Sequence, residues 1–283
     1  MNKIPVRQIE EPDFSDSFTI KDIGALLSGK DMVQELHRHN FFFMLVLEKG
    51  IGTHTIDFIS YPVNDYSVFF MQPGQVHQLT LKNGSTGYLL QFNADFYLPR
   101  EQSSIQVFRK VSTKNYCLLN AERTKKLISI LDYIFREYTE KQDRYKDIIK
   151  ANLEIFFIEL VRQSKTTESL SKNQNSYTQE RLEELLELLR KNITNIKQVT
   201  QYADMLHITT YQLNAITKET VGKTGSQLIN EQILLEAKRQ LLATSNQVNQ
   251  IAYDLGHEDV SYFIRFFKKH TGNSPEIFRQ NFK

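Results

Sequence analysis

The chain has 283 residues, enough for two domains. Hydrophobic residues make up 40%, charged residues 24% and the formal net charge is +2, the balance of an ordinary soluble globular protein. The longest uninterrupted apolar run, Phe41–Leu47, is seven residues, which excludes a membrane-spanning helix of about 20 residues. The opening residues carry no apolar signal core, and the single cysteine, Cys117, cannot form an intrachain disulfide. Both facts predict a reducing cytoplasm.

The residues before Phe18 have weak pattern and are expected to be mobile. From Glu35 to Phe92 the chain reads as short β-rich runs: Phe41–Leu47, Thr53–Ile59, Ser67–Met71, Val76–Leu81 and Tyr88–Phe92. Turn residues separate them at Lys49-Gly50, Val63-Asn64-Asp65, Gln72-Pro73-Gly74 and Lys82-Asn83-Gly84. Many short strands at close spacing predict an antiparallel sandwich or barrel over residues 1–120.

Helical period begins near Ala121. Leu127, Ile130, Leu131, Ile134 and Tyr138 share one face, as do Ile149, Leu153, Phe156, Phe157 and Leu160. Residues 121–163 are therefore expected to be a helical connector, with one of its helices forming a homodimer contact; packing within the chain, on the β-domain or between the two helices, is the alternative. Residues 164–177 are polar, rich in Ser, Thr, Asn and Gln and without period, which predicts a flexible linker. A helix opens near Thr178, with Leu182, Leu185, Leu186 and Leu189 on one side.

Residues 178–283 carry one pattern twice. Val199, Ala203 and Leu206 match Val248, Ala252 and Leu255 at an offset of 49 (252 − 203). Leu213, Ile216, Lys218 and Gly222 match Phe263, Phe266, Lys268 and Gly272 at an offset of 50 (272 − 222). One extra residue in the second turn accounts for the change. A short helix, a tight turn and a second helix, repeated once, predicts two helix-turn-helix units and hence double-stranded DNA as the partner.

Side-chain chemistry fits that expectation. Phe263, Phe266 and Phe267 would supply the buried face of the second recognition helix, leaving Ser261, Tyr262, Ile264 and Arg265 outward. Arginine reads guanine through paired contacts with O6 and N7. In the first unit Leu213 and Ile216 would be buried, leaving Thr210, Tyr211, Asn214 and Lys218 outward; asparagine suits adenine and lysine suits phosphate. From Val260 to Lys283 five basic residues (Arg265, Lys268, Lys269, Arg279 and Lys283) face one acid, Glu276. Lys268 and Lys269 are expected to join Lys218 on the phosphates. Ser274-Pro275-Glu276 reads as a capped helix start.

The segment from Ala237 to Gln280 resembles the signature of the AraC/XylS transcriptional regulators. The matching residues are Ala237 through Leu242, Ile251-Ala252, Gly256, Tyr262-Phe263, Arg265, Phe267-Lys268, Gly272, Ser274-Pro275 and Phe278-Arg279. The resemblance covers about Thr178–Lys283. It implies two helix-turn-helix units joined by a long helix near Ser226–Ala243. It also implies base-facing residues at Tyr211, Asn214 and Ala215, and at Ser261, Tyr262 and Arg265. Two departures stand out. His257 replaces the usual aromatic residue after the glycine of the second unit, and reads as a neutral, half-buried packing residue. Ala215 stands where the family often has arginine, so the first unit is expected to rely on shape and phosphate contact.

In the N-terminal region His37-Arg38-His39 and Gln72–His77 resemble the two motifs of a cupin barrel. The resemblance implies a small-molecule sensor domain, with His37, Arg38, His39 and His77 as candidate ligand-binding residues. Metal-binding cupins add a glutamate where this chain has Met44, five residues after His39, and a thioether is a poor ligand for a hard cation. No metal or other cofactor is therefore expected. Packed core histidines remain the alternative to pocket groups. The aromatics Phe41, Phe42, Phe43, Phe69 and Phe70 read as core. No G-x-S-x-G, phosphate-cradling glycine loop or C-x-x-C is present.

The sequence thus predicts a cytoplasmic, non-enzymatic, dimeric, sequence-specific transcriptional regulator: an all-β cupin-like barrel with following helices, then an all-α DNA-binding domain. Its expected partners are promoter DNA, a small-molecule effector, a second copy of the chain and RNA polymerase, with no membrane. The alternatives are a metal-dependent cupin enzyme fused to a DNA-binding domain, and a ligand-independent DNA-binding protein.

Overall fold

The computed structural model describes residues 6–7, 17–168 and 176–281. They fall into two compact units, one within Pro5–Ser171 and one within Lys172–Lys283. The mobility expected before Phe18 concerns residues that, apart from Val6–Arg7, lie outside the described set.

The first unit holds strands β1 (Val6–Arg7), β2 (Phe18–Asp22), β3 (Met32–His39), β4 (Phe42–Lys49), β5 (Gly52–Ile56), β6 (Ile59–Val63), β7 (Ser67–Met71), β8 (Val76–Leu81), β9 (Thr86–Phe92) and β10 (Tyr116–Leu118). They form two five-stranded sheets in the orders β1-β3-β8-β5-β6 and β10-β7-β4-β9-β2. Only the short β1–β3 pairing is parallel. The inner faces meet in one apolar core, with Ile56, Val63, Leu79 and Leu81 from the first sheet and Phe43, Leu45, Leu47, Phe69, Met71 and Leu89 from the second.

The run Phe41–Leu47 shows no alternation because β4 is buried on both sides. Phe43, Leu45 and Leu47 point into the inter-sheet core. Phe42, Met44 and Val46 point the other way, into a second core beneath helices. Those helices are α2 (Gln102–Ser112), α3 (Ala121–Glu140) and α4 (Tyr145–Glu168). Asn120 caps α3 by accepting from the Arg123 amide at 2.9 Å. Leu127, Leu131 and Ile134 of α3 and Ile149, Leu153, Phe156, Phe157 and Leu160 of α4 are all buried in that second core. The apolar stripes that suggested a dimer contact are thus filled within the chain.

Three local expectations change. Thr53–Ile59 is not one strand: Asp57 and Phe58 both take positive φ (47° and 70°) and turn β5 back into β6. The Asp57 carboxylate accepts from Gln75 Nε2 at 2.6 Å, so tertiary bonds hold a turn that lacks the usual Asn-Gly signal. The short helix α1 (Ile23–Leu27) and α2 were not read from the sequence at all. Finally, α4 extends to Glu168 and the next helix starts at Ser176, so most of the expected linker 164–177 is helical or, at residues 169–175, outside the described set.

The second unit is all-α: α5 (Ser176–Asn192), α6 (Val199–Met205), α7 (Thr210–Val221), α8 (Gly225–Ala243), α9 (Val248–Asp254), α10 (Val260–Thr271) and α11 (Pro275–Asn281). Leu182, Leu185 and Leu189 of α5 join Tyr202, Ala203, Leu213, Ile216, Leu228 and Ile233 in a single apolar cluster. No helix of the described residues is long and apolar enough to cross a membrane.

Candidate nucleic-acid interface

The repeat seen in the sequence is a repeat of backbone geometry. Helix α6 is closed by the cap residue Leu206 and α9 by Leu255, 49 residues later. Each turn closes with the same bond five residues back, Ile208 N–H to Ala203 O at 3.0 Å and His257 N–H to Ala252 O at 2.8 Å. The residue between is left-handed in both, His207 at φ 55° and Gly256 at φ 68°. The second helices start 50 residues apart, capped by Thr209 and Asp259. They end on Gly222 and Gly272, both left-handed. The correspondence runs further than the sequence reading took it. Thr224 caps α8, and Ser274, 50 residues on, accepts from the Ile277 amide at the start of α11.

Side chains divide by face as the helical period requires. Leu213 and Ile216 are buried in α7, and Phe263 and Phe267 in α10. Phe266 is only partly buried, against the apolar cluster around α5, α6 and α7 of the same all-α unit. Outward stand Tyr211 (83% exposed), Ala215 and Lys218 on α7, and Ser261, Tyr262, Arg265, Lys268 and Lys269 on α10. Thr210, at the first position of α7, is half-buried. The Arg265 side chain is 71% exposed, with a guanidinium nitrogen 4.0 Å from Asp259, a loose surface pair that DNA can displace.

One expected reader and one member of the basic cluster are engaged elsewhere. The Asn214 amide donates to Thr210 O at 3.0 Å and accepts from the Gly225 amide at 2.9 Å. It ties α7 to the first turn of α8. Gly225 permits that approach, since a Cβ there would lie 2.6 Å from Leu213. Arg279, counted in the basic cluster, donates to Leu241 O at 2.8 Å and Asn246 O at 2.7 Å, which caps the end of α8. Lys283 lies outside the described residues. His257 is half-buried against Phe263, with ring centroids 5.3 Å apart. Burial first, and the Lys197 charge second, push its pKa down.

In the β unit, His37 and His39 (β3) and His77 (β8) all lie on the inner face, and sequence reading missed a fourth, His54 (β5). All four are at most 2% exposed. His54 Nε2 is 2.9 Å from His77 Nδ1, and His77 Nε2 is 2.9 Å from His37 Nε2. His37 Nδ1 lies 2.8 Å from Glu35 O. With all three imidazoles neutral, a carbonyl that only accepts orders the chain: His37 donates to Glu35 O, His77 donates to His37, and His54 donates to His77. His54 Nδ1 is left as a buried acceptor with no hydrogen-bond partner. Burial first, then His39 and His37, push the His54 pKa down to about 3.

Among the described residues the arrangement does not fit a metal. Both His77 nitrogens are committed to other imidazoles, and Met44 faces away, into the core beneath the helices. Among the described residues no group of three His, Cys, Asp or Glu side chains could hold one. Arg38 alternates to the opposite face of β3 from His37 and His39, away from the cluster. Outside the inter-sheet core, a small open cleft is walled by Val68, Phe70, Val111 and Leu160, with Lys110 and Lys114 beside it.

Residues 202–281 match the family model of a helix-turn-helix domain. The chain is 22% identical over 289 residues to an uncharacterized HTH-type transcriptional regulator, YfiF, of Bacillus subtilis, covering 98% of this chain and 88% of that one. It is 24% identical to the HTH-type transcriptional activator RhaS of Yersinia pseudotuberculosis, covering 86% of this chain and 88% of that one. A solved structure of an AraC-type regulator from Chromobacterium violaceum aligns with 38% of this chain and 96% of its own, at 24% identity and a TM-score of 0.36.

Proposed function

We infer that this chain is a DNA-binding transcriptional regulator of the AraC type. The observation that carries the reading is the pair of helix-turn-helix units with superposable caps and turns, 49 to 50 residues apart, joined by the 19-residue α8. The relatives named as transcriptional regulators span nearly the whole chain, which supports the same reading for the full protein and favours a regulator over an enzyme.

Two recognition helices on one linker would enter successive major grooves about one helical turn, roughly 34 Å, apart. Tyr211 and Ala215 on α7 and Ser261, Tyr262 and Arg265 on α10 face bases, and Lys218, Lys268 and Lys269 face phosphates. Thr210 and Asn214 act mainly by holding α7. The β unit, with its buried histidine chain and the unpartnered His54 Nδ1, is a cupin-like sensor whose small-molecule effector shifts the balance between states of the protein. A second copy and RNA polymerase are its further partners, in the cytoplasm where its DNA lies.

The test is selection of binding sites from a random duplex library by the full chain. The expected product is a motif with two boxes about one helical turn apart. Failure to enrich any motif, with and without a panel of metabolites, would sink the reading.

A further inference from the structure

The turn of the second unit rests on a segment that belongs to neither of its helices. Beyond α5 the chain runs through Ile193–Gln198 into the first unit. There Lys197 Nζ donates to Gly256 O, 59 residues away, at 2.8 Å, and lies 3.4 Å from Thr194 O. The approach is close from the other side too. A Cβ at Gly256 would stand 2.3 Å from Thr194 O and 2.6 Å from Lys197 Nζ. A few residues on, Phe266 of α10 packs against the apolar cluster around the first helix-turn-helix. The matching place in the first unit is held by His207, which is exposed.

The second recognition helix is therefore attached at two places. One is α8, followed by the connection Thr244–Gln247 into α9. The other is this dock onto the segment before α6. A single helical linker leaves torsional freedom at its far end, and a second attachment removes it. Next to the tie, His257 is kept uncharged mainly by burial, so the ammonium sits beside it without like-charge repulsion.

We propose that Lys197 is a positioning residue: by tying the Gly256 turn to the segment before α6, it fixes α10 relative to α7 and so sets the separation of the two DNA boxes that the protein accepts. The proposal rests on the DNA-binding reading above. Two readers held in a fixed relation discriminate sharply against wrong spacing, because only one separation lets both engage without strain.

The experiment uses the full chain and duplexes carrying the selected two-box site with spacers from two base pairs shorter to two longer. Wild type should lose about tenfold or more on each misphased spacer. Lys197→Met keeps the aliphatic stem and should flatten the profile to within about threefold, with little change on the best spacer. Lys197→Arg retains a donor and should restore the preference, and Lys197→Gln serves if the Met variant fails to fold. A variant profile that overlays wild type overturns the proposal. So does a uniform loss on every spacer with a salt dependence lower by about one phosphate, which would make Lys197 a DNA contact. A wild-type protein with no two-box preference at all would instead overturn the underlying DNA reading, and the proposal with it.

Discussion

The two units turn their polar chemistry in opposite directions. The β unit folds four imidazoles inward, where no more than 2% of any of them is exposed. The helical unit buries phenylalanine and leucine and leaves Tyr211 and Tyr262 outside at 83% and 54% exposure, beside Arg265, Lys268 and Lys269. A surface that meets DNA must offer donors and charge on a stiff backbone before the partner arrives. An interior must satisfy each donor at home, or pay in stability. Changes in the β unit should therefore register as stability, and changes on the helical unit's outer face as binding.

The largest effect expected from this contrast is acid sensitivity greater in the β unit than in the helical unit, where His257 contributes in the same direction. The His54 pKa is pushed down to about 3 in the fold, from an ordinary value of 6.5. The unfolded chain takes up a proton as pH falls through 6.5, and the folded chain does not until about 3. The stabilisation is thus complete above pH 6.5 and is lost on the way down to 3, at about 1.4 kcal/mol per pH unit for the proton concerned. Hydrogen exchange followed by segment from pH 7.5 to 5 should show β4, β5 and β8 opening well before α8. His54→Phe, packed between Phe43 and Phe69, should reduce that slope. Equal acid loss in both units would erase the contrast.

Gly256→Ala is next, and it sharpens a difference inside the helical unit. The two turns share a backbone, but Gly256 has φ 68° and no room for a Cβ, whereas His207 has φ 55° and an exposed side chain. The substitution should cost at least about 2 kcal/mol from left-handed strain plus the collision with Thr194 O. His207→Ala should cost well under 1 kcal/mol, since that position already carries a side chain. Chemical denaturation of both variants measures the difference.

How much of this was legible in the sequence follows from the same inward and outward split. The helical unit could be read to within a residue or so, because its period, caps and glycines are local and occur twice. The central strands could be read from β-branched and aromatic runs. His54 could not, because it lies outside the two histidine motifs and joins the cluster only through the pairing of β5 with β8. The β5–β6 turn was hidden for a similar reason: Asp57-Phe58 is held by Gln75, not by its own residues. Asn214 looked like a DNA reader, and Arg279 like one more free cation of the basic cluster, because the sequence does not show whether a neighbouring backbone has already claimed a side chain. Lys197 gave no signal, since its partner is 59 residues away.

The smaller effects concern binding and separate the two recognition helices. Arg265→Ala should weaken the selected site by about 1–3 kcal/mol and relax base preference in the box that α10 meets. Thermal stability should hardly move, because Arg265 makes only a 4.0 Å surface pair with Asp259. On α7 the face offers Tyr211, Ala215 and Lys218, with Asn214 tied to Thr210 and Gly225. Lys218→Ala should therefore lower affinity evenly across sequences and reduce the salt slope by about one, without changing the motif. Selection and salt titration on the two variants side by side decide the matter. If Lys218→Ala changed the preferred bases, or Arg265→Ala left them intact, α7 rather than α10 would be the principal reader of sequence. The first unit's plain outer face would then have been misjudged.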